Sequence, residues 1–166
     1  MKIIKLNFGC GEKYLDDYIN CDFSEHVKKD KFVNLNKSPY PFKDNFADEI
    51  LMDNVLEHLD DIPSTMIELH RIMKKNGILK IIVPYAKSDW AFQDPTHKHF
   101  FTEKSMDYFT EKGFYTESKF ALLKADLRCD KTNTKQRIRS YIPFRNILRY
   151  FLFNLYDGVY FELKKI

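Results

Sequence analysis

Three groups of residues could do chemistry. The first is Leu6-Asn7-Phe8-Gly9-Cys10-Gly11, with two glycines directly behind an apolar run and Asp22 further on. Glycine belongs where a chain turns tightly or where a ligand must touch the backbone. A carboxylate such as Asp22 can accept hydrogen bonds from sugar hydroxyls; a plain strand-end turn is the simpler alternative. The second group is DNVLEHLDD, holding Asp53, Asn54, Val55, Glu57 and His58. The third is SDWAFQDPTHKHFF, where Asp94, His97 and His99 stand among aromatic residues. An imidazole titrates near neutrality and can take a proton, and a carboxylate can orient it. Asp94, His97 and His99 could also ligate a metal, but no matching ligand set stands elsewhere, so no resident metal is expected. For the same residues, the alternatives are a turn at Asp94-Pro95 and histidines that pack or cap.

Positioning these groups requires alternating strands and helices. Apolar, β-branched runs predict strands over residues 2–8, 18–22, 31–35, 48–54 and 78–84. Helical spacing of Ile62, Met66, Leu69 and Met73 predicts a helix over 62–75. Asp60 or Asp61 caps its start, Pro63 fits its first turn, and Asn76-Gly77 ends it. A second helix is expected over 103–112, and two more strands over 114–128 and 159–165. Between them, PFRNILRYFLFNLYDG predicts a helix packed on the sheet. Strands alternating with helices give an α/β fold with a mostly parallel sheet. A ligand then sits outside the carboxyl ends of the strands. The loop 88–101 leaves such an end and forms the far wall of that pocket.

The chain has 166 residues, 44% hydrophobic and 31% charged, enough for one continuous core. No apolar stretch is long enough to span a bilayer. MKIIKLNFGCGE reads as a first strand rather than a signal peptide. Cys10, Cys21 and Cys129 form no CxxC pair, so neither a disulfide framework nor a zinc finger is expected, and a cytoplasmic location follows. Residues 128–166 carry nine Lys/Arg against three Asp/Glu, within a net charge of +3. Such a basic segment suits an anionic partner or is a solvated face.

The glycine loop also discriminates between nucleotides. A dinucleotide fingerprint needs a third glycine, where Tyr14 stands, and a helix whose N-terminus holds a pyrophosphate. The segment from Gly9 to Asp17 is too short for an ordinary crossover helix. Glu12, Asp16 and Asp17 would repel a pyrophosphate. S-adenosylmethionine has no phosphate, and its sulfonium is cationic. It needs close backbone and a carboxylate for the ribose, so it fits better than NAD.

LNFGCG, INCD, SPYPFKDNFADEILMDNVLEHLDD and MKKNGILKIIVP, in that order, resemble the class I S-adenosylmethionine-dependent methyltransferases of the type-11 kind, over roughly residues 4–110. The resemblance implies a Rossmann-like methyltransferase sandwich: a mostly parallel seven-stranded sheet, a C-terminal antiparallel strand and a shortened first helix. It implies one domain over 1–166, with a cofactor half at 1–85 and an acceptor half at 86–166. Asn7, Phe8, Gly9, Cys10 and Gly11 match the loop under the cofactor, Asn7 standing where many members carry an acid. Asp22 matches the ribose carboxylate, with Phe23 near the adenine. Leu35 and Asn36 match the adenine loop, where Asn34 and Asn36 replace a frequent acid. Asp53, Asn54, Val55 and His58 match the region beside the methionine moiety. The implied activity is methyl transfer to a small molecule. The alternatives are a cofactor-binding module acting through a partner, and an RNA methyltransferase using Arg128, Lys131, Lys135, Arg137 and Arg139.

Overall fold

The alternation of apolar residues produces a sheet with one dry face. The computed structural model describes residues 3–111, 113–114, 116–129 and 134–166. Its strands are β1 (Lys5–Phe8), β2 (Ile19–Asp22), β3 (Lys31–Phe32), β4 (Ala47–Asp53), β5 (Met73–Pro84), β6 (Phe120–Arg128) and β7 (Gly158–Lys165). They form one seven-stranded sheet in the order β3-β2-β1-β4-β5-β7-β6. β1 to β5 run parallel, and β7 is antiparallel to both β5 and β6. The mostly parallel sheet with an antiparallel last strand is therefore as expected.

Register aligns the core. Leu6, Ile50, Leu79 and Leu163 form one row across the sheet, and Phe8, Met52, Ile81 and Phe161 form the next. All eight are fully buried. Each such side chain contributes about 1.5–3 kcal/mol by leaving water. Helix α1 (Ile62–Ile72) covers this face with Met66, Leu69 and Ile72, also fully buried. The opposite face is not dry. Glu49 there accepts from Lys80 Nζ at 2.8 Å and from the Tyr18 hydroxyl, and Lys5 pairs with Asp17 at 2.6 Å. A parallel sheet usually has both faces covered by helices; here charge pairs occupy the second one.

The shortened first helix proves to be no helix at all. Residues 9–18 are turns, and two buried amides satisfy their backbone. Asn7 Nδ2 donates to the Lys13 carbonyl at 2.9 Å and to Asn20 Oδ1 at 3.0 Å. Asn20 in turn accepts from Leu15 N–H and donates to the Leu15 and Tyr18 carbonyls.

Four expectations need correction. Helix α1 starts as predicted, with Asp61 accepting from Ser64 N–H at 2.9 Å, but it ends at Ile72 rather than 75. Met73 pairs with Ala47 at the edge of β4 and is fully buried, so sheet pairing overrides helix propensity there. The helix over 103–112 is a 3₁₀ turn at Ser105–Phe109, and residue 112 lies outside the described residues. The long helix between β6 and β7 is replaced by a four-residue α3 (Arg145–Leu148); α2 (Thr134–Arg139) precedes it. Positive φ at Phe144 and Asn154 breaks the helical run. Phe144 and Phe151 are exposed rather than packed on the sheet. The strand over 114–128 begins only at Phe120, and residue 115 lies outside the described residues. Among the described residues, no helix is long and apolar enough to cross a membrane.

Arg71 ties α1 to the loop that follows β3. Its guanidinium donates twice to Glu68, once to Asp44, and to the carbonyls of Phe42 and Tyr40, all within 2.7–3.1 Å. Glu68 also accepts from Tyr40 N–H, and the Tyr40 hydroxyl donates to the Leu35 carbonyl. Leu35 is thereby fixed from behind. Lysine cannot reproduce this fork. Arg71→Lys is therefore expected to cost about 2–3 kcal/mol in urea unfolding. A loss below about 0.5 kcal/mol, the range of ordinary surface changes, would contradict this account.

Candidate functional site

The strand ends of β1, β2 and β4 open into a cleft of about 520 Å³. Gly9, Asp22, Phe23, Leu35, Asn36, Asn54, Val55 and His58 line it, all of them singled out in the sequence. Val33, Asn34, Leu59, Thr96 and Lys98 complete the lining. Gly9 has φ +62°, and a Cβ there would lie 2.4 Å from Val55 Cγ2. Only a bare backbone allows that approach.

Asp22 is the best-held polar group of the cleft. It is buried, and its two oxygens accept from Gly11 N–H at 2.9 Å and Ser24 N–H at 2.8 Å. Two backbone donors fix the carboxylate and leave further lone pairs for a ligand. On the opposite wall, Asn36 Oδ1 accepts from Asp60 N–H, and Asn34 Oδ1 accepts from Asn36 N–H. The two asparagines thus brace the loop around Leu35.

Five sequence candidates stand behind the cleft instead of lining it. Asn7 is buried and gives its amide to Lys13 and Asn20. Phe8 is a core side chain, edge-on to Tyr40. Cys10 is buried, with Sγ 3.6 Å from the Lys28 carbonyl, and burial pushes its thiol up. Gly11 holds Asp22. Asp53 pairs with Lys13 at 2.6 Å and accepts from Asn54 Nδ2.

The third group divides. His99 Nε2 donates to the Leu59 carbonyl at 2.8 Å, and its side chain faces a separate hollow beside Asp60 and Phe101. His97 does not join His99; it lies edge-on to His58, ring centroids 4.7 Å apart. Its Nδ1 is 3.0 Å from the Ala91 carbonyl, and its Nε2 is 4.0 Å from both Glu57 Oε1 and Asp94 Oδ2. Asp94 is too far to orient His97 by a hydrogen bond. It accepts instead from Thr96, whose hydroxyl oxygen stands 3.0 Å from His58 Nδ1. Burial, then the neighbouring His97, lowers the pKa of His58 and favours its neutral ring.

In the sequence, Glu57 stands out only as the neighbour of His58. It is fully buried, and neither of its carboxylate oxygens has a hydrogen-bond partner. Backbone bonds from Lys98 and His99 to the Glu57 carbonyl join the two loops at this point. No periodicity could reveal this, because the contact depends on how two separate loops fold together.

Among the described residues, no basic side chain of the C-terminal segment lines the cleft. Arg128 lies over the Tyr160 ring at 3.9 Å, and Arg139 binds Asp157. Lys131 and the side chain of Lys135 lie outside the described residues.

Comparison with known proteins agrees with the resemblance. Residues 6–81 match the family described as "Methyltransferase domain". No curated protein matches the sequence. Among solved structures, the chain is similar to a SAM-dependent methyltransferase from Archaeoglobus fulgidus, with TM-score 0.69 and 19% identity over 98% of this chain and 86% of that one. It is similar to the putative methyltransferase of Haloferax volcanii, solved with the Trm112 methyltransferase activator, with TM-score 0.68 and 12% identity over 99% and 83%. It is also similar to the [4+2]-cyclase SpnF, with TM-score 0.64 and 12% identity over 98% and 75%. At these identities the likeness establishes the Rossmann-like methyltransferase fold.

The isolation of Glu57 has a thermodynamic signature. Burial lifts its carboxyl from an ordinary 4.5 to about 7. The stability tied to its proton is fully present below the unfolded value and is lost as pH rises through about 7. Glu57→Gln removes that dependence. In urea unfolding with a chelator present, the variant should gain on the parent by up to about 3 kcal/mol between pH 4 and pH 8. A difference that does not change with pH would show that Glu57 is satisfied in solution.

Proposed function

From the match of residues 6–81 to the methyltransferase-domain family, which implies S-adenosylmethionine as the cofactor, we propose that the chain transfers a methyl group from S-adenosylmethionine to an oxygen or nitrogen of a small molecule. The observation that carries this reading is the buried Asp22 carboxylate, held from below by two backbone donors at the edge of the cleft. Its free lone pairs accept from the ribose hydroxyls. Phe23 and Leu35 sandwich the adenine, with Asn34 and Asn36 at its edge. Gly9 lets the backbone approach the sulfur end, and Asn54, Val55 and His58 flank the methionine part. The chain acts as one domain, residues 1–85 holding the cofactor and 86–166 closing the acceptor side.

The reaction is an in-line displacement. A lone pair of the acceptor attacks the methyl carbon, the carbon–sulfur bond breaks, and its electron pair stays on sulfur as S-adenosylhomocysteine. Alignment supplies much of the acceleration, on the order of 7–11 kcal/mol in favourable cases. The acceptor's proton leaves at the Glu57–His58–His97 cluster, of which His58 lines the cleft. His99 takes no part in this account, because its Nε2 is committed to the Leu59 carbonyl. A second reading is a cofactor-binding module acting through a partner. It is favoured by the exposed Phe144, Tyr150 and Phe151 beside Arg145.

Calorimetry tests the cofactor. S-adenosylmethionine and S-adenosylhomocysteine should bind at micromolar concentration, and Asp22→Ala should weaken both at least about tenfold, the loss of one charge-assisted contact. Tighter binding of NADH would refute the assignment. On a turned-over acceptor, His97→Ala should slow transfer by about 10²-fold or more, while His99→Ala leaves it nearly unchanged.

A further inference from the structure

We infer that Glu57, His58 and His97 bind one divalent first-row transition-metal cation at the acceptor end of the cleft. The location alone rests on the methyl-transfer reading; the ligand set does not. One potential ligand atom from each of the three side chains lies within 4.8 Å of the other two. Metal bonds to imidazole nitrogen and carboxylate oxygen are about 2.0–2.2 Å. A central ion therefore draws each group inward by less than about 1 Å.

Two further observations point to a cation. Both oxygens of Glu57 are buried with no donor, the costliest condition for a carboxylate in a protein interior. A metal ion satisfies both at once. The ring tautomers are also set for ligation. The Ala91 carbonyl can only accept, so His97 Nδ1 carries the proton and Nε2 keeps its lone pair, 4.0 Å from both Glu57 Oε1 and Asp94 Oδ2. Thr96 gives its single hydroxyl proton to Asp94 Oδ1 at 2.7 Å, so His58 Nδ1 donates to Thr96 and leaves its own Nε2 unprotonated. Outer partners of this kind orient metal-ligating histidines.

Two imidazoles and one carboxylate suit zinc, iron(II), manganese or cobalt; magnesium and calcium prefer oxygen ligands. Three protein ligands leave coordination positions open. His58 and Thr96 line the cleft, so an open position is available to an oxygen or nitrogen of the acceptor. With the ion bound, the imidazoles are ligands, and the ion makes the acceptor's proton easier to lose.

The test uses the whole chain after chelator treatment, titrated with Co²⁺, Zn²⁺ and Mg²⁺. One equivalent of Co²⁺ should develop visible absorption, Zn²⁺ should displace it, and Mg²⁺ should produce no comparable binding. Glu57→Gln, which is isosteric, and His97→Asn should each weaken Co²⁺ at least tenfold while keeping the parent's circular dichroism. If one variant fails to fold, the other decides. Absence of stoichiometric uptake by the parent, or uptake unchanged in the folded variants, overturns the proposal. S-adenosylhomocysteine binding by the parent is measured alongside. Its loss with metal uptake intact would overturn the cofactor reading and leave the metal site standing.

Discussion

The loop at the cleft between β1 and β2 must satisfy its own backbone without a helix, and here the buried Asn7–Asn20 amide pair does so. Their side chains lie 3.0 Å apart and reach Lys13, Leu15 and Tyr18. An unpaired buried peptide group costs about 1–3 kcal/mol, so several such groups left open would let the loop collapse or fray. With the amides in place, residues 9–18 need no helix dipole to hold them. The glycines are then free to take positive φ, and Gly11 N–H is aimed at Asp22. An acid at position 7 could only accept, and could not donate to the Lys13 carbonyl as this asparagine does. The departure from the acid found in many family members thus has a structural use.

The missing helix has a second consequence. The sheet face it would have covered carries Lys5, Glu49 and Lys80; Glu49 pairs with Lys80 and the Tyr18 hydroxyl, and Lys5 with Asp17. The core is therefore one-sided, and the rows through Leu6 and Phe8 together with α1 carry most of the burial. Arg71 connects that core to function. The helix face away from the sheet holds Glu68 and Arg71, and these hold the loop behind Leu35. Stability of the helix and shape of the cleft wall are one network.

How much was legible follows from which contacts are local. Most strand positions, the cap at Asp61, the tight turn at Gly9 and Gly11 and the strand-end place of Asp22 all rest on short stretches whose chemistry is visible in order. The end of α1 was not, because Met73 leaves the helix to meet Ala47, a residue far away in sequence. The aromatic run after residue 143 shows helical spacing, yet Phe144 and Asn154 take positive φ and expose it. His97 and His99 look equivalent two residues apart. The fold separates them, one side chain lying toward Glu57 and the other against the Leu59 carbonyl.

The Glu57 cluster shows why position in the fold matters more than residue type. Glu57 and His58 lie on a single 3₁₀ turn immediately after β4, and His97 lies on the loop after β5. Neighbouring parallel strands place those two loops side by side, and hydrogen bonds from Lys98 and His99 to the Glu57 carbonyl lock them together. The same bonds carry the Glu57 side chain out of water. Burial of that carboxylate goes with the contact that joins these two loops. The cost of that burial is carried beside the cleft, within 4.8 Å of two imidazoles, and the proposed cation would offset it there.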